Sequence, residues 1–242
     1  MFIISCKKEE INNRCDEISD EEDVIKDYND DKQVIIDFVN KVYNYDSYYY
    51  VVTGESVTNT IIKYKQKIYS EMMKKGSDAY YYSDSSSILL KTNFRAFFHN
   101  DIVNYIKDSI EGLCSLEEYK NIYGPTPFDD NLMGYVINND SIISVSLINS
   151  NNHQYEYVIQ LDGKNYCDLL KRQMKEFGDL NALPEFLNVE FRITLRGDFY
   201  PISIKIKSEY LVDASVIGST ECEQNLEVVF KSINEEIIIP EK

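Results

Sequence analysis

Apolar and polar positions repeat along this chain with two different periods. Ile35, Phe38, Val39 and Val42 recur at helical spacing and predict a helix from about Asp30 to Tyr43–Asp46, with Gln33 placed as a capping-box partner. A second stripe of Tyr166, Leu169, Leu170, Met174 and Phe177 predicts a helix over about 163–177, closed by Gly178. Elsewhere the period is two. Tyr48–Thr53 is aromatic and β-branched, and strands are expected over 61–73, 78–90 and 92–106. In the last of these, Phe94, Ala96 and Phe98 alternate with Asn93, Arg95 and His99. The stretches 74–77 and 84–87 read as turns. Residues 107–134 are less regular, with a short capped helix at Ser115–Tyr119 ended by Gly124-Pro125-Thr126-Pro127. Strands resume at Ile142–Ile148 and Tyr155–Leu161. The clearest hairpin sets Phe191, Ile193 and Leu195, turns at Gly197-Asp198, and returns through Ile202, Ile204 and Ile206. A strand at Leu226–Phe230 and the run Ile237–Pro240 close the chain. Consecutive one-sided strands with short connections predict an antiparallel meander.

Composition turns this pattern into an address and a set of exclusions. The chain has 242 residues, 25 Lys and Arg against 41 Asp and Glu, and a net charge of −16. Such a charge excludes a nucleic-acid backbone as ligand and electrostatic docking on anionic lipids. No composition break or internal repeat divides 33–242, so one domain is expected there. Residues 7–33 hold 11 acidic side chains against five basic ones, and 7–30 lacks apolar periodicity. That segment reads as an acidic linker.

The chain opens Met1-Phe2-Ile3-Ile4-Ser5-Cys6-Lys7-Lys8. An apolar run, a small residue, a cysteine and then polar residues resemble a bacterial lipobox, in which the cysteine is diacylated. Two acyl chains, at about 0.8 kcal/mol per buried CH₂, hold a protein at a bilayer. The expectation is a signal remnant and acidic tether over 1–32, lipid attachment at Cys6, and an extracytoplasmic, membrane-anchored location. The positive n-region and a full apolar h-region are not part of the sequence as it stands. The other cysteines, Cys15, Cys114, Cys167 and Cys222, are either small buried hydrophobes or disulfide partners with three possible pairings. No C-x-x-C or Cys/His cluster occurs, and neither a metal nor a cofactor is expected.

A lipobox-like cysteine, an acidic tether, one helix, a long meander and a helix returning between strands together resemble the LolA-like and LppX-like lipoproteins and lipoprotein carriers. Stretches that carry the resemblance are Asn93–Asn100 leading into Ile102–Tyr105, Gln173-Met174-Lys175 leading to Pro184-Glu185-Phe186, and Phe230 to Pro240. Similar strings occur in surface lipoproteins of low-GC Gram-positive bacteria. The resemblance spans about 34–240. It implies an α+β fold in which a curved antiparallel sheet, an incomplete β-barrel, carries helices on its concave face and leaves a cavity for acyl chains. It brings no catalytic residues.

The residues that would line such a cavity are Phe94, Phe98, Phe191, Ile193, Leu195, Ile202, Ile204 and Ile206. The alternative is that these faces pack on the helices as a closed core. The leading expectation is a non-enzymatic surface lipoprotein that binds a lipid or a lipoprotein's acyl chain. The second is an envelope interaction or sensor module that meets a partner protein and holds no ligand. Other candidate chemistry is weak. His99 beside Asp101 lacks a nucleophile elbow. His153 sits in a polar run. Asp129-Asp130 and Glu235-Glu236 lack calcium-loop spacing. Arg196-Gly197-Asp198 spells an adhesion tripeptide but has the residues a hairpin turn requires. The runs Tyr48–Tyr50 and Tyr80–Tyr82 put tyrosine on both sheet faces, where it is either strand-forming material or a glycan or protein contact.

Overall fold

The computed structural model describes residues 23–42, 44–59, 63–87, 91–123, 126, 133, 136–166, 185–214 and 218–240. The period-two stretches become β1 (Ser47–Asn59), β2 (Lys63–Lys75), β3 (Asp78–Ser87), β4 (Lys91–His99), β5 (Ile102–Lys107), β6 (Ile110–Ser115), β7 (Ile142–Asn151), β8 (Gln154–Leu161), β9 (Glu185–Arg196), β10 (Pro201–Ala214) and β11 (Gly218–Ile233). They form one eleven-stranded sheet in the order β6-β5-β4-β3-β2-β1-β11-β10-β9-β8-β7. Every pair in it is antiparallel. Neighbours in space are neighbours in sequence except at the β1–β11 seam, where the two halves of the chain meet. Among the described residues β6 and β7 are the two free edges, so the sheet is open. The fold is α+β.

Register shows what this arrangement does with the oily positions. Tyr157 lies opposite Ile193, Ile193 opposite Ile204, Ile204 opposite Val228, and Val228 opposite Val52. The row continues through Ser70 and Ser83 to Phe94. Directly opposed residues share a face, so Ile193 and Phe94 point to the same side although five strands separate them. That side, the inner face, carries both helices. α1 (Asp31–Val42) buries Val34, Ile35, Phe38 and Val39 in a cluster with Tyr157, Ile159, Phe191, Ile193, Leu195 and Ile204. α2 (Leu116–Tyr123) lays Tyr119 and Tyr123 on Phe94, Ala96, Phe98 and Val103 at the other end.

Both helices start with local hydrogen bonds. In α2 the box is complete: the Ser115 N–H donates to Glu118 Oε2 at 2.9 Å and the Glu118 N–H donates to Ser115 Oγ at 3.2 Å. In α1, Asp30 Oδ1 accepts from the Lys32 N–H at 2.9 Å, but Gln33 donates its amide to Asp37 instead of reaching back. The expected reciprocal box is therefore half formed, because a carboxylate one turn on competes for the amide.

Three local readings change, and a fourth is described only in part. Asp84–Ser87 is strand and not turn, since Ser85 and Ser83 find side-chain partners on β2. The expected strand 92–106 is a hairpin that bends at Asn100, whose φ is 51°; asparagine tolerates that left-handed conformation. Ile202 falls at a register shift between Pro201 and Ser203 and leaves the alternation of Ile204 and Ile206. Of the helix expected at 163–177, residues 163–166 are helical and 167–177 lie outside the described residues.

The acidic segment is also docked at its end. Ile25 is buried in the α1 cluster, and the Val24 and Ile25 N–H groups donate to the Gly197 carbonyl at 3.0 and 3.1 Å. Asp23, 8% exposed, accepts from Tyr155 Oη at 2.8 and 3.0 Å and pairs with His153 Nδ1 at 2.7 Å. Burial pushes the Asp23 carboxyl up, but the hydrogen bonds from His153, Tyr155 and the Lys26 backbone outweigh it, and the net shift is downward from 3.8. A carboxylate that is lowered in the folded state stabilises it above the unfolded value, and that contribution is lost as pH falls below about 3.8. Asp23→Asn should cost about 2 kcal/mol at pH 7, the scale of hydrogen bonds to a charged group. Urea denaturation should show the gap between variant and wild type closing below about pH 4. A pH-independent gap would show that the charge plays no part.

Candidate binding faces of the sheet

The sequence-predicted lining residues separate into two groups. Phe94 and Phe98 lie under α2, where Phe98 meets Tyr119 edge-on at 5.1 Å and Phe94 meets Tyr123 at 5.4 Å. Phe191, Ile193, Leu195 and Ile204 lie under α1, with Ile206 packed at that cluster's margin. Ile202 joins neither cluster. All but Ile202 share the inner face, but the register keeps the two groups most of a sheet apart.

Between them the inner face changes character. One end of the central strands stays apolar: Met72 is fully buried, and Tyr50 meets Phe230 at 5.7 Å. Burial raises the Tyr50 phenol well above its ordinary value, as expected for a hydroxyl enclosed by apolar neighbours. The rest is a band of hydroxyl and amide side chains. Ser70 Oγ donates to Ser83 Oγ at 3.2 Å, and Ser56 Oγ shares a hydrogen bond with Tyr210 Oη at 3.1 Å. Gln66 bonds Ser85, Tyr64 bonds Ser87, and Tyr166 Oη donates to Gln224 Oε1 at 3.1 Å. Ser83, Ser85, Ser208 and Gln224 are buried. The Thr92 hydroxyl, also buried, has no partner among the described residues. Sequence reading missed this band. Its signal was present as Ser83, Ser85 and Ser87 at period two, opposite Gln66 and Ser70.

The outer face is mixed. Tyr69 and Tyr82 meet at 6.1 Å, Tyr80 and Phe97 at 5.1 Å, and the Arg95 guanidinium lies over Tyr82 at 5.8 Å. At the free edges, Ile110 and Leu113 on β6 and Ile143 and Ile148 on β7 are exposed.

The remaining motifs find structural roles. His99 Nδ1 pairs with Asp78 at 2.7 Å rather than with Asp101, and the pair is exposed. His153 sits in the β7–β8 turn and holds Asp23. Arg196 and Asp198 bind each other at 2.6 and 2.9 Å across the β9–β10 turn, so both charges of the tripeptide are engaged. Glu235 accepts from Ser232 Oγ at 3.0 Å. Cys114 and Cys222 are free thiols, and burial pushes both up. Cys6, Cys15, Cys167 and Asp129-Asp130 lie outside the described residues. Among the described residues no group of His, Cys, Asp and Glu could hold a metal, and no helix is long and apolar enough to cross a membrane.

Solved structures with a similar chain path share little sequence with this one. LprF from Mycobacterium bovis aligns over 87% of this chain and 95% of its own, at 10% identity and a TM-score of 0.45. A putative outer membrane lipoprotein-sorting protein domain from Vibrio parahaemolyticus aligns over 84% and 90%, at 9% identity and a TM-score of 0.28. A LolA superfamily protein from Nitrosomonas europaea aligns over 87% and 96%, at 11% identity and a TM-score of 0.25. No family model and no curated protein matches the sequence. At these identities no residue role transfers.

Proposed function

We propose that this chain is a non-enzymatic lipoprotein of the cell envelope that holds an amphiphile, a lipid or a lipoprotein's acyl chain, against the inner face of its half-barrel. The observation that carries the reading is the one-sidedness of the sheet. Apolar side chains from β8 to β5 share one face, and α1 and α2 lie on its two ends, α1 nearest β7 and α2 nearest β5 and β6. Between them, Val52 and Ile68 are only half buried and adjoin the hydroxyl and amide band. A surface that is apolar at one end and hydrogen-bonding at the other suits a molecule with a chain and a polar head. Cys6, when diacylated, would hold the domain at the membrane through the acidic segment that ends at Asp23, and would place it outside the cytoplasm.

Closure of both oily ends favours a second reading, an envelope interaction module with a filled core and no ligand. One experiment separates the two. Purified full-length protein should carry extractable amphiphile near equimolar amounts, seen by native mass spectrometry and by solvent extraction. Ile68→Arg sets a charge in the middle of the inner face, which costs several kcal/mol against an apolar ligand. The variant should keep its circular dichroism and lose the amphiphile. Wild-type protein with nothing to extract would sink the ligand reading and leave the second. For the anchor, labelled palmitate should enter the wild type and not Cys6→Ala.

A further inference from the structure

The opposite face of the central strands carries an open depression of about 490 Å³. Its wall is a small lattice of side chains set by register: Thr53 opposite Tyr69, Glu55 opposite Lys67, Tyr69 opposite Asp84, and Lys67 opposite Ser86. Gly54 and Ile68 complete it. The volume lies within the range of about 300–1,000 Å³ common for small-molecule sites.

The aromatic side of this depression is held in place before any ligand arrives. Tyr69 Oη donates to Glu71, so the ring is fixed by its polar end. Tyr82 lies against Tyr69 at 6.1 Å; its hydroxyl accepts from Asn93 Nδ2 at 2.8 Å and donates to Asp84 Oδ2 at 3.3 Å. Glu55 is steadied by Lys65 at 3.2 Å. Fixed rings and steadied polar groups reduce the ordering cost of binding.

We propose that this depression binds a neutral oligosaccharide. A sugar ring has C–H bonds on its faces and hydroxyls around its rim. The first fit the flat wall of Tyr69, and the second find acceptors at Asp84 and Glu55, a donor at Lys67, and hydroxyls at Thr53 and Ser86. Other ligand classes fit worse. An anion meets two carboxylates and one lysine on a chain of net charge −16. An alkyl chain would take those charges out of water without replacing their hydrogen bonds. A peptide strand cannot add here, because β1, β2 and β3 are paired on both sides.

The test is titration of the ¹⁵N-labelled full chain with neutral tetrasaccharides of glucose and of N-acetylglucosamine, beside an anionic oligogalacturonate. The proposal expects saturable shifts confined to amides around 53–55, 67–69 and 84–86, with a Kd on the order of 1 mM. Tyr69→Ala should weaken binding about tenfold, the effect of a central aromatic contact. Tyr69→Phe should weaken it less than Tyr69→Ala, since it keeps the ring face and loses only the Glu71 hydrogen bond that fixes the ring. Shifts from the anionic sugar alone, from neither sugar, or from neutral sugars with Tyr69→Ala as good as wild type would each overturn the proposal. Protein stripped of lipid and protein as purified should give the same shifts, which keeps this result independent of the inner-face reading.

Discussion

Gly54→Ala should lower the unfolding free energy by about 3 kcal/mol, at the upper end of the usual cost of overpacking. A Cβ at this position would stand 2.1 Å from the Asn225 carbonyl oxygen and 2.8 Å from Leu226 Cδ2. The first obstacle is backbone and cannot rotate away. Its location enlarges the effect. β1–β11 is the single seam between the halves of the sheet, and it pairs twelve residues of β1 from Tyr48 to Asn59. A shift of β11 at Asn225 therefore disturbs the junction that sets α1 and α2 on a common inner face. Gly112→Ala is the control. Its Cβ would also meet a neighbour at 2.1 Å, but the atom belongs to the Tyr105 ring on an edge hairpin. A side chain can rotate, so the cost there should be nearer 1 kcal/mol. Urea denaturation of both variants decides the point, and equal losses would show that the seam is no more demanding than the edge.

The meander was legible because alternation is a local signal. The β9–β10 hairpin announces itself in Phe191, Ile193 and Leu195 and the turn at Gly197-Asp198, and the structure places it as read except at Ile202. The cap of α2 was legible for the same reason: Ser115 and Glu118 stand three residues apart, and the box they form needs nothing distant. What failed was what depends on partners far along the chain. Asp84–Ser87 has turn-like composition, and only cross-strand bonds to Gln66 and Tyr64 hold it in a strand. Residues 23–30 look like linker until Ile25 and Asp23 meet the β9–β10 turn and the β7–β8 hairpin, more than a hundred residues away.

The candidate site was legible only in part, and for a related reason. Oily alternation marks Phe94 and Ile193 as inner-face residues, but not whether a helix or a ligand covers them. The hydroxyl band was missed because a serine-rich stretch reads as turn in a single sequence. It becomes a feature only when register lines up Ser56, Ser70, Ser83 and Gln66 on adjacent strands. The inner face thus has two apolar ends and a hydrogen-bonding middle, where alternation had marked only the apolar positions.

Phe94→Ala tests that division, with an expected loss of about 3–5 kcal/mol. The ring is 1% exposed and lies within 6.3 Å of four tyrosine rings, Tyr81, Tyr105, Tyr119 and Tyr123. Removing it leaves a cavity that rigid rings on β3, β5 and α2 fill poorly. The effect should also be local. The clusters under α1 and α2 share no residue, and the polar band runs between them. Native-state hydrogen exchange should therefore show faster exchange of the α2 amides through local opening, while the α1 amides change only through global unfolding. Equal loosening of both helices under native conditions would mean that the inner face is one continuous core. A continuous core across β1–β3 would leave no room there for an amphiphile, so this stability measurement bears directly on the proposed function.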